Sequence, residues 1–191
     1  MIHGLSFGDD PGTKRFQDGT HRLIPPRETL SKITPLLQAM GITRVANVTG
    51  LDRIGVPVIM VTRPNARSIA VSQGKGLDLD AAKASGVMEA IEIHHAEHIQ
   101  HPLKLASHNE MRASHDLIDV GRLAKVANSR FHPDHPMLWI EGFDLLNNAP
   151  LWLPYETAHT NFTLPSPPGA GSFSPSTNGL ASGNHILEAT C

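Results

Sequence analysis

A mixed α/β fold of the α+β kind, with small antiparallel sheets and packed helices, is what this 191-residue sequence predicts, and three observations predict it. Short β-rich runs at 42–49, 54–62 and 67–72 succeed one another with turn residues between them, the pattern of a small antiparallel sheet. A long helical stretch follows inside 72–97, dominated by Ala, Met, Leu and Glu. Beyond it, 137–146 and 150–155 read as two strands joined by a turn at Asn147-Asn148. The composition, 40% hydrophobic and 18% charged, is that of an ordinary globular chain, and one domain over 1–191 is the expectation.

Taken in order, residues 1–26 are polar and rich in turn formers, with Lys14, Arg15, His21 and Arg22 gathered around Asp18-Gly19-Thr20. Such a segment reads as a disordered tail or a phosphate-contacting arm. Pro25-Pro26 then lead into a helix from Arg27 to Met40, where Leu30, Ile33, Leu36, Leu37 and Met40 keep helical spacing. Pro35 predicts a kink or a late first turn, and Gly41 the stop. Pro57 predicts an edge position or a bulge for its strand. Ser72 to Gly76 reads as a glycine-rich turn opening the long helix, with Asp78 or Asp80 accepting from its first free N–H groups. After the helix come a His-rich tract at 94–101, a short helix at Asp119–Asn128, and Trp139 and Trp152 as core or hairpin-packing residues. Residues 161–177 resemble a linker in composition, and Ser176 to Cys191 reads as a glycine-rich loop entering another helix.

On the long helix, Ser85, Glu89 and Glu92 are four and three residues apart and fall in a stripe roughly 60° wide. Leu79, Val87, Ile91 and Ile93 cover other sides, so the helix is expected to lie in the interior, where carboxylates need a cation, a hydrogen-bond network or a ligand. A solvated face paired with a lysine is the plainer alternative. Two carboxylates on one helix, a second Asn/Glu helix start near the end and a basic N-terminal segment are the ingredients of a magnesium-nucleotide site, since Mg2+ takes oxygen ligands and shares them with phosphates. The P-loop is absent: residue 69 is Ile and residue 76 is Gly where that motif requires Gly and Ser or Thr, and no GxGxxG occurs. His94 and His98, one turn apart, offer a metal clip, but no HExxH and no paired cysteines accompany them. A net charge of -2 gives no general pull toward nucleic acid. No apolar run approaches the ~18 residues of a membrane span, and the single Cys191 favours the cytoplasm.

Five blocks carry a resemblance to a known family: Asp18-Gly19-Thr20-His21-Arg22, Arg44 through Arg53, Ser72-Gln73-Gly74-Lys75-Gly76, Ser85 to Glu92, and Ser176 to Glu188. In these blocks, and in their order, the sequence resembles the N-terminal half of a YcaO domain, of the subgroup associated with TfuA-type partner proteins. The resemblance implies ATP and Mg2+ as cofactors, with Ser85, Glu89 and Glu92 in the first ATP motif and Asn184 and Glu188 opening the second. Glu89, Glu92 and Glu188 are implied as magnesium ligands, Lys14 as a phosphate contact and Arg22 as a further candidate. Two departures matter. Ile93 stands where many members have Arg, and the family continues past the second motif into another Glu-rich helix that has no counterpart after Cys191.

The resemblance further implies ATP-dependent activation of peptide backbone amides, giving an azoline or a thioamide. A nucleophile adds to the amide carbon, the oxyanion attacks the γ-phosphate, and loss of phosphate expels the oxygen. The implied partners are a peptide or protein substrate and a TfuA-like protein, with a complementing C-terminal half or a second copy to complete the site. Residues 1–191 accordingly read as an incomplete domain, inactive alone. The alternatives are a catalytically inactive remnant that binds a peptide or partner, and a His-tract metal-binding protein.

Overall fold

The structure is a computed structural model and describes residues 12–190. These divide into two compact units, one of residues 12–97 with 179–190 and the other of residues 98–178. The mixed α/β expectation is met: each unit holds one three-stranded antiparallel sheet.

In the first unit, helix α1 (Pro26–Ile33) starts with Pro26 in its first turn, where a missing N–H costs nothing. It gives way at Thr34–Leu36 to a 3₁₀ turn, because Pro35 cannot donate to the helical ladder. The chain reverses at Gly41, whose φ of +71° is the left-handed conformation glycine accepts without strain. Strands β1 (Arg44–Asn47), β2 (Val58–Thr62) and β3 (Val71–Lys75) pair in the order β1-β2-β3, with Arg44 opposite Thr62 and Val58 opposite Lys75. Two expectations are corrected here. β2 is the central strand, neither edge nor bulged, and Pro57 is tolerated because it lies just before the ladder begins. Ser72 to Lys75, expected as a turn, is β3 itself.

The glycines that suggested a turn serve close packing instead. Helix α2 (Leu79–Glu97) crosses β3 so tightly that a Cβ on Gly74 would lie 2.0 Å from the Ala82 carbonyl oxygen and 2.2 Å from the Gly86 nitrogen. A Cβ on Gly76 would lie 2.5 Å from the Ala82 nitrogen. Of the two candidate caps, Asp78 is the one used: its Oδ1 accepts from Ala81 N–H at 2.7 Å. As the sequence predicted, α2 is buried on nearly every side. Ala82, Val87, Ala90 and Ile91 pack with Ile42, Ile59 and Val61, closed by Ile33, Leu37 and Met40. At its C-terminal end Glu97, 1% exposed, meets the equally buried Arg63, 3% exposed. Helix α4 (Ile186–Thr190) belongs to this unit as well.

The second unit is a sheet of β4 (Leu103–Ala106), β5 (Met137–Asp144) and β6 (Ala149–Pro154) in the order β4-β5-β6. Trp139 is fully buried among Ala106, Met111, Met137 and Phe173, and its indole N–H donates to the Ala106 carbonyl at 2.9 Å. Trp152 packs against this core from its edge. The short helix expected at Asp119–Asn128 is absent; that stretch is turns, with Asp119 Oδ1 capping Gly121 N–H and Asn128 at φ 60°. Helix α3 (His108–Arg112) lies earlier, started by a capping box in which Ser107 and Glu110 each accept the other's backbone N–H. The linker-like 161–177 is irregular but anchored: the Glu156 carboxylate accepts from the N–H groups of Gly171, Ser172 and Phe173 at 2.6, 3.0 and 2.8 Å. Among the described residues no helix is long and apolar enough to cross a membrane.

Candidate active site

The first unit builds the site from three pieces: the acidic face of α2, the loop leading into α4, and a hairpin at residues 16–22. The hairpin is a two-residue bridge, with Phe16 and Arg22 exchanging backbone hydrogen bonds at 3.1 and 2.9 Å around Gly19 at φ +73°. It delivers the Arg22 guanidinium to Glu188 on α4, Nη1 to Oε1 at 3.6 Å. The Glu188 side chain is only 6% exposed, and Asn184 secures it further, donating from its backbone N–H at 3.1 Å and from Nδ2 at 3.2 Å. Asn184 Oδ1 in turn accepts from the buried Thr29 hydroxyl of α1 at 3.1 Å. Arg22, Asn184 and Glu188, far apart in sequence, thus form one connected cluster.

On α2, Ser85 and Glu92 are half-buried and Glu89 is exposed. The Ser182 hydroxyl reaches the Met88 carbonyl at 3.4 Å and also bonds the Glu92 carboxylate, tying the loop before α4 to the acidic face. Glu92 titrates above its ordinary value of 4.5: burial is the chief cause, the Ser182 bond partly offsets it, and the Glu89 charge reinforces it. The folded state therefore holds this proton more tightly than the unfolded chain. Glu92 contributes a loss of stability as pH rises from about 4.5 through its raised pKa, and none at lower pH. We expect Glu89→Gln to lower the Glu92 pKa and flatten that part of the stability–pH curve. A carboxyl NMR titration reads this, and an unmoved Glu92 would remove Glu89 as a cause.

Ser85 and Arg22 also line a cleft of about 370 Å³, whose walls include Thr20 and Lys75 on the polar side and Val56 and Leu77 on the apolar side. Lys14 stands apart: it is exposed and makes no ion pair among the described residues. Nor do Glu89, Glu92 and Glu188 converge, since among the described residues no three His, Cys, Asp or Glu side chains are grouped to hold a metal ion. Glu188 faces Arg22 and Asn184, while Glu89 is exposed on α2 and the charge of the half-buried Glu92 is disfavoured by burial and by the neighbouring Glu89.

The donor set fits Mg-ATP. Mg2+ is usually held by one or two carboxylates together with substrate phosphates, so Glu89 and Glu92 suffice on the protein side. A dication would also relieve the strained Glu92 charge, and Arg22 and Lys75 offer cations to phosphate in the adjoining cleft. Sequence reasoning missed Ser182, Thr29 and Lys75 as parts of this arrangement. Lys75 and Ser182 lay inside blocks already singled out, whereas nothing local marks Thr29, which acts through a contact distant in sequence.

The fold thus sets paired carboxylates on a buried helix beside a cleft lined by Arg22 and Lys75. The family profile described as YcaO cyclodehydratase, ATP- and Mg2+-binding, matches residues 73–191, and the chain belongs to the YcaO family. A Rhizobium leguminosarum bv. trifolii protein, described as an uncharacterized protein in the tfuA 3′ region, is 37% identical over 169 residues, which are 88% of this chain and 39% of that protein. An uncharacterized Mycobacterium tuberculosis protein is 36% identical over 182 residues, 95% of this chain and 41% of its own length. The chain thus spans about two fifths of the curated relatives it matches. Among solved structures, YcaO from Methanopyrus kandleri bound with AMPPCP and Mg2+ superposes with a TM-score of 0.67 at 24% identity, covering 92% of this chain and 43% of that one. A heterocyclase in complex with substrate and cofactor gives 0.71 at 22% identity, covering 93% and 27%. Both share the fold.

Proposed function

We propose that this chain forms the nucleotide-binding portion of an ATP- and Mg2+-dependent enzyme that activates peptide backbone amides for cyclodehydration or thioamidation. The observation that carries the reading is the Glu89–Glu92 pair on one face of α2, set beside the Arg22–Ser85 cleft in a chain of the YcaO family. Bound Mg-ATP supplies the phosphoryl group that converts an amide oxygen into a leaving group.

The chain's own residues bind and orient. Glu89 and Glu92 would hold the metal, Arg22 and Lys75 neutralise phosphate charge with Lys14 as a further phosphate contact, and Ser85 donates its hydroxyl at the cleft wall. Asn184 and Glu188 brace Arg22 and border the site from α4, Glu188 joining the metal ligands if Arg22 turns to phosphate. No protein nucleophile is required, because the work lies in alignment and charge neutralisation. The substrate is a peptide or protein, and a TfuA-like protein is a partner, which the tfuA 3′ region relative supports.

A second reading, a non-catalytic module that binds a peptide or partner, draws on one observation: Leu51, Ile54 and Leu77 are 83%, 79% and 72% exposed. Nucleotide protection separates the two. For the intact protein encoded by the gene, Mg-ATP at a hundredfold excess over its Kd is expected to add about 2.7 kcal/mol of stability. Glu89→Gln should abolish the Mg2+-dependent part of that protection. Equal protection of both proteins would remove Glu89 from the site, and none in either would favour the binding module.

A further inference from the structure

We propose that Arg63 is a positioning residue for the Glu89–Glu92 face, acting through the backbone of α2 at Ala90; the inference rests on reading that face as the Mg-ATP site. Arg63 follows the last residue of β2 and sends its guanidinium against the helix. Nη1 donates to the Ala90 carbonyl at 3.0 Å and Nη2 to Glu97 Oε2 at 2.5 Å. The other Glu97 oxygen accepts from the Ser68 N–H at 2.9 Å and the Ser68 hydroxyl at 2.5 Å. Both ends of the charge pair are buried and every strong acceptor is used.

Such a pair is poor value as a source of stability. Removing two charges from water costs about what their attraction returns, and apolar replacements of similar volume are often neutral or better. Geometry gives it a different purpose. Ala90 and Glu97 are seven residues apart, two helical turns, so they lie on one side of α2, whereas Glu89 and Glu92 project from other sides.

Val87 and Ile91 seat one side of α2 on Ile59 and Val61, and the glycines beside them let the helix approach closely. Gly74 and Gly86 meet backbone to backbone, and Ala82 and Ala90 present only methyl groups. A planar fork gripping two points of one helical side holds the rotation of α2 at Ala90, where the helix presents only a methyl group. Turning α2 would swing Glu89 and Glu92 together, away from Ser182 and the cleft. Ala90 immediately follows Glu89 and lies two residues before Glu92, so the grip falls where the ligands are aimed.

Two variants of the intact protein test this: Arg63→Lys, and the double replacement Arg63→Met with Glu97→Met. The lysine keeps a cation beside Glu97 but, as a compact point charge, does not span both acceptors. The double variant removes the pair without leaving a buried charge. The readout is the Mg2+ concentration giving half of the ATP-dependent thermal protection, recorded beside the melting temperature without ligand. A supporting group of this kind is worth about tenfold or more in metal affinity, so both variants are expected to shift the Mg2+ midpoint upward by about that factor. A merely structural role would lower the melting temperature and leave the midpoint in place. Unchanged midpoints in folded variants overturn the proposal while sparing the site. Should the double variant fail to fold, Arg63→Lys decides. A wild-type protein that Mg-ATP does not protect overturns the reading of the site, and the proposal with it.

Discussion

Gly74→Ala is expected to destabilise the protein by at least about 3 kcal/mol, a large share of the 5–15 kcal/mol that holds a typical domain together. The added Cβ would sit 2.0 Å from one backbone atom of α2 and 2.2 Å from another, and backbone has no rotamer to give. α2 would have to retreat from β3 by about an ångström, opening the core that Ile59, Val61, Val87 and Ile91 fill. Gly50→Ala is the control, because nothing lies within 4 Å of a Cβ there and its φ is not left-handed. Chemical denaturation of the two variants measures the difference. Equal midpoints would show that α2 does not lie against β3 as described.

Glu97→Ala is expected to cost about 3–5 kcal/mol, because it strands the Arg63 guanidinium in an apolar interior. Glu97 is 1% exposed and Arg63 3%, so solvent has little opportunity to take over. Burial opposes ionisation of Glu97, but the bonds from the Ser68 side chain, the Arg67 backbone and Arg63 outweigh it and hold its pKa below 4.5. The pair's contribution is therefore fully present above pH 4.5 and is lost as pH falls through the depressed pKa. Urea denaturation at pH 7 measures the loss. A Glu97→Ala protein as stable as the wild type would mean that the pair is not buried.

The legible parts of the sequence were those whose signal is local and periodic. The Ser85–Glu89–Glu92 stripe, the all-round burial of α2, the stop at Gly41 and the β5–β6 hairpin all follow from spacing or turn chemistry within a few residues. The glycines of β3 misled because glycine signals a turn and a close approach alike, and only the partner helix distinguishes them. The helix expected at Asp119–Asn128 does not form: Gly121 and Asn128 are turn formers, and Val120 and Leu123 reach the core from turns. The capping box at Ser107 and Glu110 was present in the sequence and was the usable sign of α3.

The site divides along the same line. Its acidic face was visible on one helix, whereas Thr29 with Asn184 and Arg63 with Glu97 are joined only by the fold, 155 and 34 residues apart. The resemblance named Arg22, Asn184 and Glu188 separately, as a phosphate candidate and as the start of the second motif; that they touch one another is visible only in the fold. Lys14, carried over on the same grounds, joins none of those contacts.

The central claim is that Glu89 and Glu92 hold the metal of a bound nucleotide. Diffraction from crystals of the intact protein grown with AMPPCP and Mn2+, recorded at the manganese edge, tests it directly. The account predicts an anomalous peak between the nucleotide phosphates and the Glu89 and Glu92 carboxylates. A peak at His94 and His98, or nucleotide bound with its metal remote from α2, would contradict it.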